Sequence, residues 1–195
     1  GNLATGQRPV AVRPRESRGE NRTGGVTTVT VSSDQRPAAR RKRGAVDINV
    51  AFLQMNPFDP DDPPRYVKFK HPVTGQWLVY RQLAGIYGEA GSPIRWEQTL
   101  APWLESIGFA RGKNDPCAYR HKTRRGLAAI TWVDDIYCQG DDPDFDWFFA
   151  QLAERFSCKD VEVLAPQAPI DFVGIEISCD GEFTYMSVYS YVANM

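Results

Sequence analysis

The chain has 195 residues, of which 42% are hydrophobic, 12% aromatic and 24% charged, with a formal net charge of −1. That length suits one ordinary domain, or a domain with a tail. No stretch approaches the roughly 20 apolar residues of a membrane span, and the first residues lack the apolar core of a secretory signal. Only two histidines, His71 and His121, are present, which argues against histidine-rich metal sites and most His-based triads. The near-zero charge hides a partition. Residues 1–45 carry a net +7 and no Phe, Trp or Tyr, whereas residues 46–195 carry a net −8 and all the aromatics. A segment without aromatics buries too little apolar area to offset its chain entropy. Residues 1–45 therefore read as a disordered basic tail and residues 46–195 as the folded domain. Cys117, Cys138, Cys158 and Cys179 form no paired C-x-x-C knuckle, which argues against zinc. Without a signal peptide they read as reduced, mostly buried thiols.

In the tail, residues 26–31 (VTTVTV) alternate like a short strand. Residues 40–43 (RRKR) read first as a solvated linker, with an import signal or a phosphate-binding patch as the alternatives. The domain opens with a short strand at 46–50 (VDINV), then a helical turn at 51–53, then a Pro- and Asp-rich loop at 55–65. Residues 66–69 and 77–80 flank a turn and form a hairpin. Ser92 and Pro93 supply a capping hydroxyl and a first-turn proline for a helix. Its inward stripe is Trp96, Leu100, Leu104 and Ile107, and Gly108 stops it. Residues 117–120 and 127–133 are strands around HKTRRG. Asp142 and Pro143 start a second helix with Phe145, Phe148, Phe149, Leu152 and Phe156 facing inward. Residues 170–178 and 183–186 are strands joined at Asp180 and Gly181. This order predicts an α+β domain, a sheet with two helices packed on it.

The most informative stretch is ITWVDDIYC at 130–138, two apolar strands joined directly by Asp134 and Asp135. A two-residue hairpin favours Asn-Gly or Asp-Gly, because its central positions need positive φ. Asp-Asp serves that poorly and sets like charges together. On spacing alone an acidic surface turn is the commoner explanation; a hard divalent cation is the alternative. Asp47, in another short apolar strand, shifts the balance. With the two strands side by side, three carboxylates would meet at one sheet edge. Such a set could hold two Mg²⁺ ions about 4 Å apart, serving an attacking hydroxyl and a leaving phosphate.

These blocks together resemble the reverse transcriptase of copia-type LTR retrotransposons, in its palm region. VDINVAFL (46–53) resembles the block around the family's first catalytic aspartate, and IYGEAGSPIRW (86–96) its Tyr-Gly…Pro-x-x-Trp helix start. GFARGKNDPCAYR (108–120) resembles its Gly-Phe…Asp-x-Cys strand, and WVDD (132–135) its Tyr-Val-Asp-Asp hairpin. RFSCKDVEVLAPQAPIDFVGIEIS (155–178) and MSVYSYVANM (186–195) resemble the segments with which the domain ends. The resemblance implies a polymerase palm, an antiparallel sheet with two packed helices, and an RNA-directed DNA polymerase transferring nucleotides to a primer 3′-hydroxyl. Asp47, Asp134 and Asp135 would be catalytic and, with the Ile48 carbonyl, would hold two Mg²⁺ ions, Mn²⁺ being a possible substitute. Phe52 would lie under the sugar of the incoming deoxynucleoside triphosphate and exclude a 2′-hydroxyl; from the residues alone it is a core aromatic. Gly91 and Ser92 would pass the template, where glycine permits close approach; otherwise they are a helix cap. Phe172, Val173 and Gly174 would grip the primer end, or else form a core strand with a bulge. Arg120, Lys122, Arg124 and Arg125 would meet phosphates of the RNA/DNA template-primer, or else decorate a solvated turn. Cytoplasmic particles and the nucleus are the locations the resemblance implies, with no membrane.

The chain also departs from the family. Trp132 stands where the family has Tyr, and the loop at 55–65 differs from the family's acidic stretch. Residues 1–45 show none of the fingers blocks, nothing recognisable as thumb or RNase H precedes Met195, and integrase and protease motifs are absent. The expectation is a palm fragment of a pol polyprotein behind an unrelated basic tail, with weak or no activity in isolation. Two rivals are a palm-derived relic that binds nucleic acid or a partner through the tail, and a two-metal phosphodiesterase. A nuclease needs neither the Phe52 position nor the primer hairpin.

Overall fold

The computed structural model describes residues 41–180, 183–188 and 192. The expected strand at 26–31, the tail up to residue 40, Gly181 of the last turn and most of the terminal block lie outside the described residues. In chain order the strands are β1 (Arg41–Asp47), β2 (Arg65–Lys70), β3 (Trp77–Gln82), β4 (Phe109–Arg111), β5 (Ala118–His121), β6 (Ala128–Trp132) and β7 (Asp135–Asp141). They continue with β8 (Glu162–Val163), β9 (Ile170–Phe172), β10 (Ile175–Cys179) and β11 (Thr184–Ser187). The helices are α1 (Ser92–Ser106) and α2 (Asp142–Arg155), and a 3₁₀ turn spans Ala51–Leu53.

Six strands form the main sheet in the order β4-β5-β6-β7-β1-β8, and every neighbouring pair is antiparallel. Alternation along the strands sorts their side chains. Val46 and Ile48 from the β1 segment, with Ile136 and Cys138 from β7, enter one core with Trp96, Leu100 and Leu104 of α1 and Phe145, Phe148, Phe149 and Leu152 of α2. Both helices thus bury their apolar stripes on the same face. Ala45 and Tyr137 point to the other face, where they meet Ile170 and Ile177 of a separate three-stranded sheet, β11-β10-β9. The described residues form an α+β arrangement with three sheets among them, the third being the β2–β3 hairpin.

Several expectations need correction. Strand β1, the first described element, spans Arg41–Asp47 and so runs into the stretch assigned to the tail. Arg41, Lys42 and Arg43 pair with Asp141, Gly140 and Gln139 of β7. The charges have partners there: Lys42 Nζ lies 2.9 Å from Asp146 Oδ1 on α2, and Arg41 Nε 3.8 Å from Asp141. Lack of aromatics does not stop a strand whose burial is supplied by its neighbours. Ser92 is no cap; Gly91 takes that position, and Ser92 is buried with its hydroxyl donating to the Ile86 carbonyl at 2.7 Å. Strand β4 falls between Gly108 and Gly112, ahead of the strand expected from residue 117, where the residue pattern assigned no separate element. The run at 170–178 is two strands, folded back at Val173 and Gly174.

Candidate functional site

Strand pairing decides where the aspartates lie. In the β1–β7 register Asp47 stands directly opposite Asp135, and residues so placed have Cβ atoms about 4.5–5.5 Å apart. Like charges in that position oppose sheet formation. Both residues are on the face away from the helices, at the end where β6 turns into β7. Trp132 is opposite Asp135 on the other side, so the two turn residues are Val133 and Asp134, one position earlier than the sequence suggested. Asp135 belongs to the strand. The strain of the tight turn falls on Val133, whose φ is +52°. A β-branched residue there is an outlier costing about 1–2 kcal/mol.

The turn is tied down from two directions. The Ile48 amide donates to the Asp134 carbonyl at 2.8 Å, joining it to β1. The buried indole of Trp96, on α1, donates through Nε1 to the Val133 carbonyl at 2.5 Å. Beyond α2, residues 157–159 run antiparallel to the end of β1. Asn49 N donates to Ser157 O at 2.9 Å, Lys159 N donates to Asp47 O at 2.9 Å, and Ile48 bridges Cys158. This sets Lys159 Nζ 3.2 Å from Asp47 Oδ2. The Gln54 side chain clips the same segment, accepting from Ser157 N at 2.7 Å and donating to Ser157 O at 2.9 Å.

Burial pushes the Asp135 carboxyl above its ordinary range, and the charges of Asp134 and Asp47 push it further; Lys159 opposes them and Asp171 adds to them. Asp47, Asp134 and Asp135 are therefore electrostatic neighbours. Among the described residues, however, no three His, Cys, Asp or Glu side chains form a group that could hold a metal ion. The donor chemistry of the pair, carboxylate oxygen, is of the kind a hard dication takes. Burial, with a contribution from Asp47, raises the Cys158 thiol to about 11, so it stays protonated at neutral pH.

Of the other expected site residues, some come to this place and some do not. Val173 and Gly174 both have positive φ, +55° and +76°, and make a two-residue turn between β9 and β10. Phe172 rests on Tyr137 with ring centroids 5.8 Å apart. Tyr137 is two residues along β7 from Asp135 on the same face, so this hairpin borders the acidic pair. Phe52 is buried at 8% exposure, as a core aromatic is, and packs against the exposed Tyr87 at 4.7 Å. Gly91 has open space around it, but the buried Ser92 side chain cannot meet a strand of nucleic acid. The basic group is displaced altogether. Lys122, Arg124 and Arg125 sit at the opposite end of β6 from the Val133 turn, roughly 17 Å away at about 3.4 Å per residue. Arg120 pairs with Ala128 at that same far end. Arg124 is also engaged by Asp144 at 2.6 Å and by the Trp147 ring at 3.9 Å. Sequence reasoning missed Lys159, Gln54, Tyr87 and the polar role of Trp96. The lone lysine in RFSCKDVEV, a stretch already singled out, was the available signal for Lys159.

Against curated proteins, the chain is 28% identical over 156 residues to "Putative transposon Ty5-1 protein YCL074W" of Saccharomyces cerevisiae. The similarity points to a retrotransposon-related sequence. The match covers 76% of this chain and 47% of that protein, so the chain spans about half the length of the curated relative it matches. No protein-family profile matches the sequence.

Proposed function

We propose that the folded part of this chain is the palm of a copia-type reverse transcriptase, built for RNA-directed transfer of deoxynucleotides to a primer 3′-hydroxyl. The observation that carries the reading is the Asp47–Asp135 pairing with Asp134 on the adjoining turn, in a chain similar to a transposon protein. A sheet gains nothing from two carboxylates set face to face, so a ligand is the natural reason for keeping them. In this reading Asp47, Asp134, Asp135 and the Ile48 carbonyl hold two Mg²⁺ ions, or Mn²⁺ in their place. A dication held by these residues would supply activation of the primer hydroxyl and charge stabilisation for the departing pyrophosphate.

The chain's own residues supply position. Trp96 and Ile48 fix the turn that carries Asp134. Lys159 lies against Asp47 and offsets its charge. The β9–β10 turn bears on the primer end, and Phe52 with Tyr87 forms the floor under the nucleotide sugar. Pre-set geometry of this kind is the protein's main contribution to phosphoryl transfer. One observation favours a second reading, a palm-derived relic without activity: the described residues contain no preformed three-ligand metal group.

The test is Mg²⁺-dependent extension of a DNA primer on an RNA template, with the fold checked by circular dichroism. Asp47→Asn and Asp134→Asn should each lower extension by on the order of 10²-fold or more. Extension equal in both variants would overturn the assignment of these carboxylates. A folded chain that extends nothing would favour the relic.

A further inference from the structure

The β2–β3 hairpin has no neighbour in either of the other sheets, and an isolated two-stranded hairpin is marginal in water. Its register divides its side chains cleanly. One face carries Val67, Phe69, Leu78 and Tyr80, with Phe69 stacked on Tyr80 at 5.3 Å and both rings exposed. The other face carries Tyr66, Lys68, Lys70, Trp77, Val79 and Arg81. There Trp77 is 57% exposed and Tyr66 63% exposed. Lys68 Nζ and Lys70 Nζ lie 4.7 and 5.4 Å from the Trp77 ring centroid. Residues 65–82 hold four Arg or Lys and no Asp or Glu. Lys68, Lys70 and Arg81 form no salt bridge among the described residues.

We infer that this second face is a binding surface for single-stranded nucleic acid. Exposed aromatic rings cost free energy in water, and unpaired cations beside them call for a polyanion. A ligand with flat apolar rings strung on phosphates satisfies both, the bases stacking on Trp77 and Tyr66 while Lys68, Lys70 and Arg81 meet the backbone. A duplex hides its bases in its own stack, so a single strand is favoured. Ring stacking does not read the 2′-hydroxyl, so RNA and DNA bind alike. The base of the hairpin is anchored: Phe58 N donates to Leu83 O at 2.8 Å, and Arg65 and Gln82 meet Glu89 at 2.8 and 2.7 Å. The following loop brings Tyr87 onto Phe52. The inference names the surface that holds a strand, and it concerns affinity rather than chemistry on the strand, so it does not depend on the polymerase reading.

The test is fluorescence anisotropy of labelled oligothymidylate and oligouridylate of about 12 nucleotides, with the full chain in EDTA and no nucleotides. Tyr66→Ala and Trp77→Ala should each weaken both oligomers roughly tenfold. Lys68→Ala with Lys70→Ala should flatten the log affinity against log salt slope by about 1.4. Trp77→Phe keeps a stacking ring, so it should bind nearly as the parent while losing tryptophan quenching. The basic residues before β1 add a salt-dependent background that changes at Trp77 leave alone. The inference is overturned if the parent binds neither oligomer, or if Tyr66→Ala and Trp77→Phe bind and quench as the parent does. Tighter binding of a duplex of equal length, or of anionic vesicles in place of oligonucleotide, also overturns it. A chain that binds strands but extends no primer removes the polymerase reading and leaves this one standing.

Discussion

Asp135 sits under opposing demands. Its carboxyl is held above the ordinary value of 3.8 by burial first, and then by Asp134 and Asp47. The folded state therefore takes up this proton at higher pH than the unfolded chain does. As pH rises through the window above 3.8, the folded state gives up stability, and above the raised value the ionised group is a net cost. In EDTA, Asp135→Asn should unfold at higher urea than the parent at pH 7, and the gap should close as pH falls toward 3.8. A variant less stable at pH 7 would mean that Lys159 outweighs the acidic neighbours. Trp96 works at the same scale. Replacing it with Phe keeps an aromatic against Phe156 but leaves the Val133 carbonyl without its donor. The expected loss is about 1–3 kcal/mol in a denaturant titration, and a change below about 0.5 kcal/mol would show that the turn is held without it.

Elements explain which parts of the structure were legible beforehand. Both helices were, because their apolar residues recur on one stripe and that pattern survives any tertiary context. Their details were less so. Helix α1 continues through Pro102, which breaks one backbone hydrogen bond in the interior, because Leu100, Ala101 and Leu104 around it are buried. Pro102 itself is exposed. Pro102→Ala should therefore raise stability by on the order of 1–3 kcal/mol, read from the denaturation midpoint; a loss would mean that the ring packs on something it is not seen to touch. Turns were harder to read. The sequence places the sharp bend at Asp134 and Asp135, since Val is a poor residue for positive φ, yet Val133 and Val173 both take it. Packing and hydrogen bonds on either side impose those conformations, and no local propensity records them. The candidate site was legible only as residue types, Asp47, Asp134 and Asp135 being singled out from pattern. Its exact pairing was not, because register is a property of two strands together.

For the whole molecule, the decisive feature is that β1 lies between β7 and the short edge strand β8, one strand in from the edge of the sheet. Nothing in the pattern of residues 41–47 says that the partner is β7, and the expected tail boundary, drawn from charge and the lack of aromatics, cut through the strand. The consequence is one of timing. Contacts such as Lys42 with Asp146 join residues 104 positions apart, and closing so long a loop must precede any gain from the pairing. During synthesis β1 leaves the ribosome well before β7 and waits for that partner; its leading Arg41, Lys42 and Arg43 are charges of the kind that keep an open edge from a wrong partner. Until β7 arrives, Asp47 is an ordinary acid on a loose chain. A product cut short before Asp135 has no acidic pair at all, so whatever the pair binds, it can bind only once the central strands have closed.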